Sequence, residues 1–200
     1  SSAASDVYKR QIRHCATESA RGRIISKFHE DKNGDIFIGT DDGGLFIYNP
    51  IKDKCHRYTI DKSNPNLNIH AIWSNDTYLW IGTYSKGLYR INHKTKYVEH
   101  IPYFEKDGIT NESIYSIHED LSGKIWIGTK TAIWTWTKKH GFIKEKELGY
   151  NSDIIAICED LKGSIWFASL NKGILKYTPT THNLSLIHIS EPRDPKTSRM

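Results

Sequence analysis

Residues 117–137 read IHEDLSGKIWIGTKTAIWTWT, and the fold follows from the return of this pattern along the chain. FHEDKNGDIFIGTDDGGLFIYNP (28–50), IWSNDTYLWIGTYSKGLYRIN (72–92) and ICEDLKGSIWFASLNKGILKYTP (157–179) share its frame. Aligned on Gly39, Gly82, Gly128 and Ala168, the units recur at intervals of 43, 46 and 40 residues. A period of about 40–45 residues with several short strands per unit is how a propeller blade reads in sequence.

Each unit supplies four strands. The first ends at the acidic pair, as in 114–118 and 154–158. A tight turn follows at 31–34, 120–123 and 160–163, opened by Asp and closed by Gly. Asp accepts hydrogen bonds from amides just ahead of it, and Gly takes positive φ without strain. The second unit shortens this turn to 74–77. The second strand is IFIGT, LWIGT, IWIGT or IWFAS, and the third is GLFIY, GLYRI, AIWTW or GILKY. The fourth is more polar: CHRYTI (55–60), YVEHIPY (97–103) and FIKEKEL (142–148). Inner strands of a blade are covered on both faces by neighbouring blades and read as continuous apolar runs, whereas the outermost strand is solvated. Helical periodicity is absent, so the chain is read as all-β.

The expected architecture is a partial β-propeller of about four blades, each a four-stranded antiparallel sheet, over 23–60, 68–103, 113–148 and 153–183. They form an open arc of a larger, seven-bladed ring, and each terminal blade leaves an apolar face uncovered. Phe37, Trp80, Trp126 and Trp166 recur at one position and are assigned to the wedge between blades, because ligand contacts rarely repeat so regularly. Gly39, Gly82 and Gly128, two residues on, mark a close backbone approach or a bulge. Residues 1–11 (SSAASDVYKRQ) and 184–200 (LSLIHISEPRDPKTSRM) match no part of the repeat. Both resemble translated sequencing-adapter flanks and are expected to be non-native or disordered, which leaves the propeller at 12–183 and the fourth unit without its own outer strand.

Composition narrows the function classes. Six Trp and eleven Tyr against a single Met suit sheets. The formal net charge is +5, but Lys and Arg are interleaved with Asp and Glu, so no basic stripe points to nucleic acid. No apolar run reaches the roughly 20 residues of a membrane helix. Cys15, Cys55 and Cys158 are odd in number and form no CxxC, so neither a disulfide framework nor a zinc site is read from them. Cys158 falls in an apolar strand and is expected to be a small buried hydrophobe. His29 and His118 share a repeat position, but they lie two blades apart with no third ligand, so no metal is expected. The Glu-Asp pairs are assigned to turn formation rather than glycosidic acid–base chemistry. No nucleophile triad, P-loop or dinucleotide fingerprint occurs, so neither a catalytic residue nor a cofactor is assigned.

The unit, with Glu30-Asp31 and Gly34, Glu119-Asp120 and Gly123, Glu159-Asp160 and Gly163, and the later Gly44-Leu45, Gly87-Leu88 and Gly173-Ile174, resembles the two-component regulator propeller repeat. The third unit departs with Ala132-Ile133, the fourth with Ala168-Ser169. The resemblance spans about 23–182. It implies the periplasmic sensor region of a hybrid two-component sensor histidine kinase of Bacteroides-like bacteria, with membrane helix, kinase and response regulator outside this chain. Signal input rather than catalysis is implied, with an oligosaccharide or other small ligand, the remaining blades of the parent chain and, in the parent, a homodimer as partners. The fit to sialidase, WD and Kelch propellers is poorer, since Asp120 and Gly123 stand three apart, no Trp-Asp ends a strand, and a double Gly occurs once, at Gly43-Gly44.

Loops joining second to third strands (40–43, 83–86, 129–131, 169–172) and the links between blades gather on one face of a propeller. The candidate ligand-binding residues there are Asp41, Asp42, Tyr84, Lys86, Asn111, Lys130, Tyr150, Asn171 and Lys172. Amides, hydroxyls and an aromatic ring suit sugar hydroxyls, and Lys suits an acidic sugar or sulfate. Two other functions remain open: a lyase-like propeller enzyme, and a protein–protein scaffold using Trp134 and Trp136, two apart and so on one face of a strand.

Overall fold

The computed structural model describes residues 24–101, 112–148 and 152–187. Over these residues the chain forms four antiparallel sheets of four strands, each strand pairing with its neighbours in sequence. The first holds β1 (Ile24–Glu30), β2 (Ile36–Asp41), β3 (Gly44–Asn49) and β4 (Lys54–Tyr58). The second holds β5 (Ile69–Ser74), β6 (Tyr78–Thr83), β7 (Leu88–Asn92) and β8 (Val98–Ile101). The third holds β9 (Ile114–Glu119), β10 (Ile125–Thr129), β11 (Ile133–Thr137) and β12 (Gly141–Lys144). The fourth holds β13 (Ile154–Glu159), β14 (Ile165–Ser169), β15 (Gly173–Thr178) and β16 (Asn183–Ile187).

The sheets stack face to face, with β1, β5, β9 and β13 innermost and packed on one another in that order. Three apolar cores fill the gaps. Phe37, Leu45, Ile69 and Ile81 lie between the first and second sheets. Trp80, Ile114, Ile127 and Trp134 lie between the second and third. Trp126, Ile154 and Phe167 lie between the third and fourth. Among the described residues no core joins the fourth sheet back to the first. The fold is a partial β-propeller, an open arc of four blades.

Glycine sets how closely the sheets approach. A Cβ placed on Gly39 would sit 2.8 Å from Ile69 Cγ2, on Gly82 2.6 Å from Ile114 Cγ2, and on Gly128 2.6 Å from Ile154 Cγ2. Each glycine is therefore the seat for the first isoleucine of the next sheet. Outward from that seat the gap widens, and Phe37, Trp80 and Trp126 fill it, all buried.

The turn after the innermost strand is held by an Asp in the first, third and fourth sheets. Asp120 Oδ1 accepts from the Ser122 and Lys124 amides at 2.9 and 3.0 Å, and Asp160 Oδ1 accepts from Lys162 and Ser164, both at 2.9 Å. The second oxygen has a separate task. Asp120 Oδ2 accepts from Trp126 Nε1 at 2.7 Å, and Asp160 Oδ2 from Trp166 Nε1 at 2.8 Å. The indole and amide donors hold the Asp160 carboxyl down at about 2. In the second sheet Asn75 takes this place, its Oδ1 accepting from the Thr77 and Tyr78 amides at 3.0 and 2.9 Å. An amide nitrogen stands where the second carboxylate oxygen would be. Trp80 Nε1 is accordingly buried without an acceptor. Arg90 lies over the Trp80 ring instead, its guanidinium 5.1 Å from that ring, 4.7 Å from Tyr78 and 4.9 Å from Trp136.

Several expectations need correction, and an uncovered face explains most of them. Cys158 is exposed rather than buried, because it lies on the outer face of the fourth sheet. Trp166, opposite Cys158 in the pairing of β13 and β14, is half-buried on that same face instead of filling a wedge. β1 is solvated rather than covered on both faces, with Ile24 70% and Phe28 60% exposed. The fourth sheet does have an outer strand. Residues 184–187, placed in a non-native flank, belong to β16, where Leu184 and Leu186 pair with Tyr177 and Leu175. The segment 142–148 divides into β12 and a 3-10 turn at Lys146–Leu148. Residues 1–23 and 188–200 lie outside the described residues, as does Cys15.

Gly82→Ala forces a methyl against Ile114 and should lower stability by about 1–3 kcal/mol in urea unfolding, whereas a methyl is already present at Ala168 in the uncovered sheet. Asp120→Asn leaves the buried Trp126 indole without an acceptor and should cost about 1–3 kcal/mol, while Asn75→Asp should raise stability by roughly 1 kcal/mol in the same measurement.

Candidate functional site

The innermost strands carry the same irregularity in every sheet. Pairing with the second strand slips by one residue between Ile25 and Lys27, Ile69 and Ala71, Ile114 and Ser116, and Ile154 and Ala156. Ser26, His70, Tyr115 and Ile155 are the extra residues of these bulges. A bulge bends its strand and re-aims the extra side chain. Here it separates those residues from a buried lining, since Ile69, Ala71 and Ile114 are wholly buried while His70 and Tyr115 are half-buried and Ile155 is exposed.

The bulges lie beside the loops joining second to third strands. The 83–86 loop is held on two sides. The Tyr84 amide donates to the Asn68 carbonyl at 2.9 Å, and the Ser85 amide to Ser113 Oγ at 3.1 Å. That places the Tyr84 ring, 48% exposed, 5.7 Å from His70. His70 is 5.9 Å from Tyr115 on the other side. Asp153 lies near Tyr115: burial first, then the Asp153 charge, pushes the Tyr115 phenol above its ordinary range. Residues 70, 84 and 115, from the second and third sheets, thus share one mouth at the inner edge, and Asp153, just ahead of β13, lies close enough for its charge to act on Tyr115.

Deeper along that edge, His29, Trp73 and His118 form a tier, with ring centroids 5.4 and 5.2 Å apart. His29 Nε2 accepts from the Ser74 amide at 3.0 Å, which fixes that nitrogen as unprotonated. Trp73 Nε1 donates to Glu119 at 3.2 Å, and Glu159 accepts from the Leu121 amide at 2.9 Å. The Glu of the acidic pair therefore stitches neighbouring sheets, and the Asp closes the turn. Burial lowers the affinity of both His29 and His118 for a proton. Among the described residues no group of three or more His, Cys, Asp or Glu side chains could hold a metal ion.

The residues named from sequence are spread one loop per sheet. Asp41 and Asp42 sit on the first, with Asp42 at φ 57 and its amide held by Asn68 Oδ1 at 2.7 Å. Tyr84 and Lys86 sit on the second and Lys130 on the third, and on the fourth the Asn171 and Lys172 amides donate to Ser169 Oγ. Asn111 and Tyr150 lie outside the described residues. Of the set, Tyr84 joins the aromatic mouth. The sequence pattern does not mark His70, Tyr115 or Asp153 as site residues; its one trace of the first two is that the first x of Ile-x-x-Ile varies in type while the isoleucines recur. A hollow of about 500 Å³ lies on the opposite face, between the turns at 31–33 and 74–76. It is spanned by the exposed Lys32–Asp76 pair at 2.5 Å, a contact that contributes little. Trp134 is buried and Trp136 packs against the same core, which removes the support for a scaffold surface there.

No family model and no curated protein matches the chain. Solved structures do. One is the extracellular domain of a protein described as a hybrid two component system, BT3049, from B. thetaiotaomicron, at 22% identity and TM-score 0.71, covering 83% of this chain and 23% of that one. A second, BT4673 from the same organism, matches at 23% identity and TM-score 0.67, covering 86% and 22%. Virginiamycin B lyase from Staphylococcus aureus matches at 17% identity and TM-score 0.67, covering 84% and 56%. The chain thus spans less than a quarter of the first two structures, and the likeness is one of fold. Among the described residues no helix is long and apolar enough to cross a membrane.

The His tier makes stability pH-dependent. Both imidazoles bind protons less readily in the folded chain than at the ordinary value of 6.5, so the unfolded chain takes them up first on acidification. Their contribution is complete above about pH 6.5 and is lost as pH falls below it. The urea midpoint should drop between about pH 7.5 and 5.5, and the double variant His29→Gln, His118→Gln should flatten that slope.

Proposed function

We propose that this chain is part of the extracytoplasmic, ligand-sensing propeller of a two-component regulator. It recognises an oligosaccharide and passes the signal to a histidine kinase outside this chain. The observation that carries the reading is the fourfold blade repeat, together with the likeness in fold to two extracellular domains described as belonging to hybrid two component systems. The uncovered faces of the first and fourth sheets fit further blades of the same repeat, closing a ring of seven. The location is the periplasm. The polar rim of Asp41, Asp42, Tyr84, Lys86, Lys130, Asn171 and Lys172 faces the ligand, and the chain itself performs no catalysis.

A lyase fits less well despite the shared fold, because the imidazole of His29 is engaged by Ser74 and that of His118 packs against Trp73. The test is recovery of the intact reading frame. It should continue through further blades into a membrane-spanning helix and a kinase, and a frame that stops after a few more blades overturns the reading.

A further inference from the structure

The four units repeat wherever the structure needs the same residue. The isoleucine that seats on glycine recurs as Ile69, Ile114 and Ile154, and the turn Asp recurs as Asp31, Asp120 and Asp160. The bulge position does the reverse. It reads Ser26, His70, Tyr115 and Ile155, four residue types in one backbone setting. At His70, Tyr115 and Ile155 packing does not dictate the side chain, because the bulge moves it off the buried face, whereas Ser26 Oγ donates to the Ile69 carbonyl across the first seam. A position that is fixed in geometry and free in chemistry, on the inner edge of a rigid arc, suits specificity for a ligand.

We propose that His70 and Tyr115, set on the bulges of the second and third sheets, form with Tyr84 and Asp153 a subsite for an uncharged pyranose ring. The proposal rests on the oligosaccharide reading above and deepens it to named residues and a sugar class. Tyr84 offers a half-exposed ring face, backed by His70 at 5.7 Å and fixed by its amide bond to Asn68. Such a face takes the apolar C–H side of a sugar, and rigid placement avoids an ordering cost on binding. Asp153 and the Tyr115 hydroxyl supply an acceptor and a donor for sugar hydroxyls. The Asp153 carboxylate beside Tyr115 disfavours an acidic sugar in this subsite, and Lys86 and Lys130 belong to the exposed outer rim.

The test titrates the 200-residue chain with neutral hexasaccharides of glucose, mannose and galactose, and with a galacturonate hexasaccharide, by calorimetry. At least one neutral probe should bind and the galacturonate probe should bind more weakly. Tyr84→Ala and Tyr115→Ala should each weaken that binding by about tenfold. Asp153→Asn should weaken it by roughly fivefold, and Tyr84→Phe should retain it. A urea midpoint close to that of the unsubstituted 200-residue chain shows that the exposed-loop variant Tyr84→Ala keeps its fold. Neutral binding that ignores all three substitutions overturns the subsite and leaves the oligosaccharide reading standing. Preference for galacturonate, lost in Lys86→Ala or Lys130→Ala, overturns the uncharged class. Binding of no probe overturns both the subsite and the oligosaccharide reading, and cleavage of a probe overturns the reading of the mouth as a binding site alone.

Discussion

The structure depends on a missing methyl group. Gly39, Gly82 and Gly128 let the backbone of one sheet come close enough for the next sheet to set an isoleucine against it, and each seam begins at that contact. Because sheets twist, two that touch near the inner edge diverge outward, and the space between them is a wedge. Large rings suit a wedge. Trp80 and Trp126 are wholly buried within it, and Trp126 meets Phe167 of the next sheet with centroids 5.5 Å apart. Close approach at one end and bulk at the other are two consequences of a single geometry.

The polar groups follow the same seams. A carboxylate has two oxygens, and the third and fourth sheets use both, one to close a turn and one to accept from an indole. The second sheet has an amide there, and its Trp80 is covered by an arginine held to Glu99 at 3.0 and 2.5 Å. A buried indole nitrogen without an acceptor costs free energy, and a guanidinium stacked over three aromatic rings offsets part of it. The substitution of one atom type at position 75 thus changes how an entire seam is held.

The repeat made the number of sheets, their order and the turns legible from sequence, because each depends on residues close together in the chain. Burial was legible only where a neighbouring sheet exists. Trp166 and Trp126 are equivalent in sequence, yet Trp126 has Phe167 and Tyr177 against it and Trp166 has an uncovered face. Cys158 differs from expectation for the same reason. β16 was missed because Leu184-Ser185-Leu186-Ile187 has no counterpart in the other units and pairs by backbone alone, its side chains exposed. Of the candidate site, Tyr84 was legible as an aromatic on a loop. His70 and Tyr115 were not, because strict alternation along β5 and β9 puts them on a packed face, and only the bulge overrides it.

That override ties the scaffold to the site. The bulge sits across from the glycine seat: Ala71 pairs with Gly82 and Ser116 with Gly128, one residue beyond His70 and Tyr115. The isoleucine before the bulge fills the seat of the preceding sheet. Turning it inward while the following residues keep register requires one extra residue in the strand, and that residue has nowhere to point except the inner edge. Each close seam therefore generates one side chain on the mouth as a geometric by-product. Repeated seams of this kind place such side chains in a row, as His70 and Tyr115 stand here, beside loops that the blade links already hold still. A propeller of this type can change what it recognises by changing those residues alone, without disturbing the contact that holds its blades together.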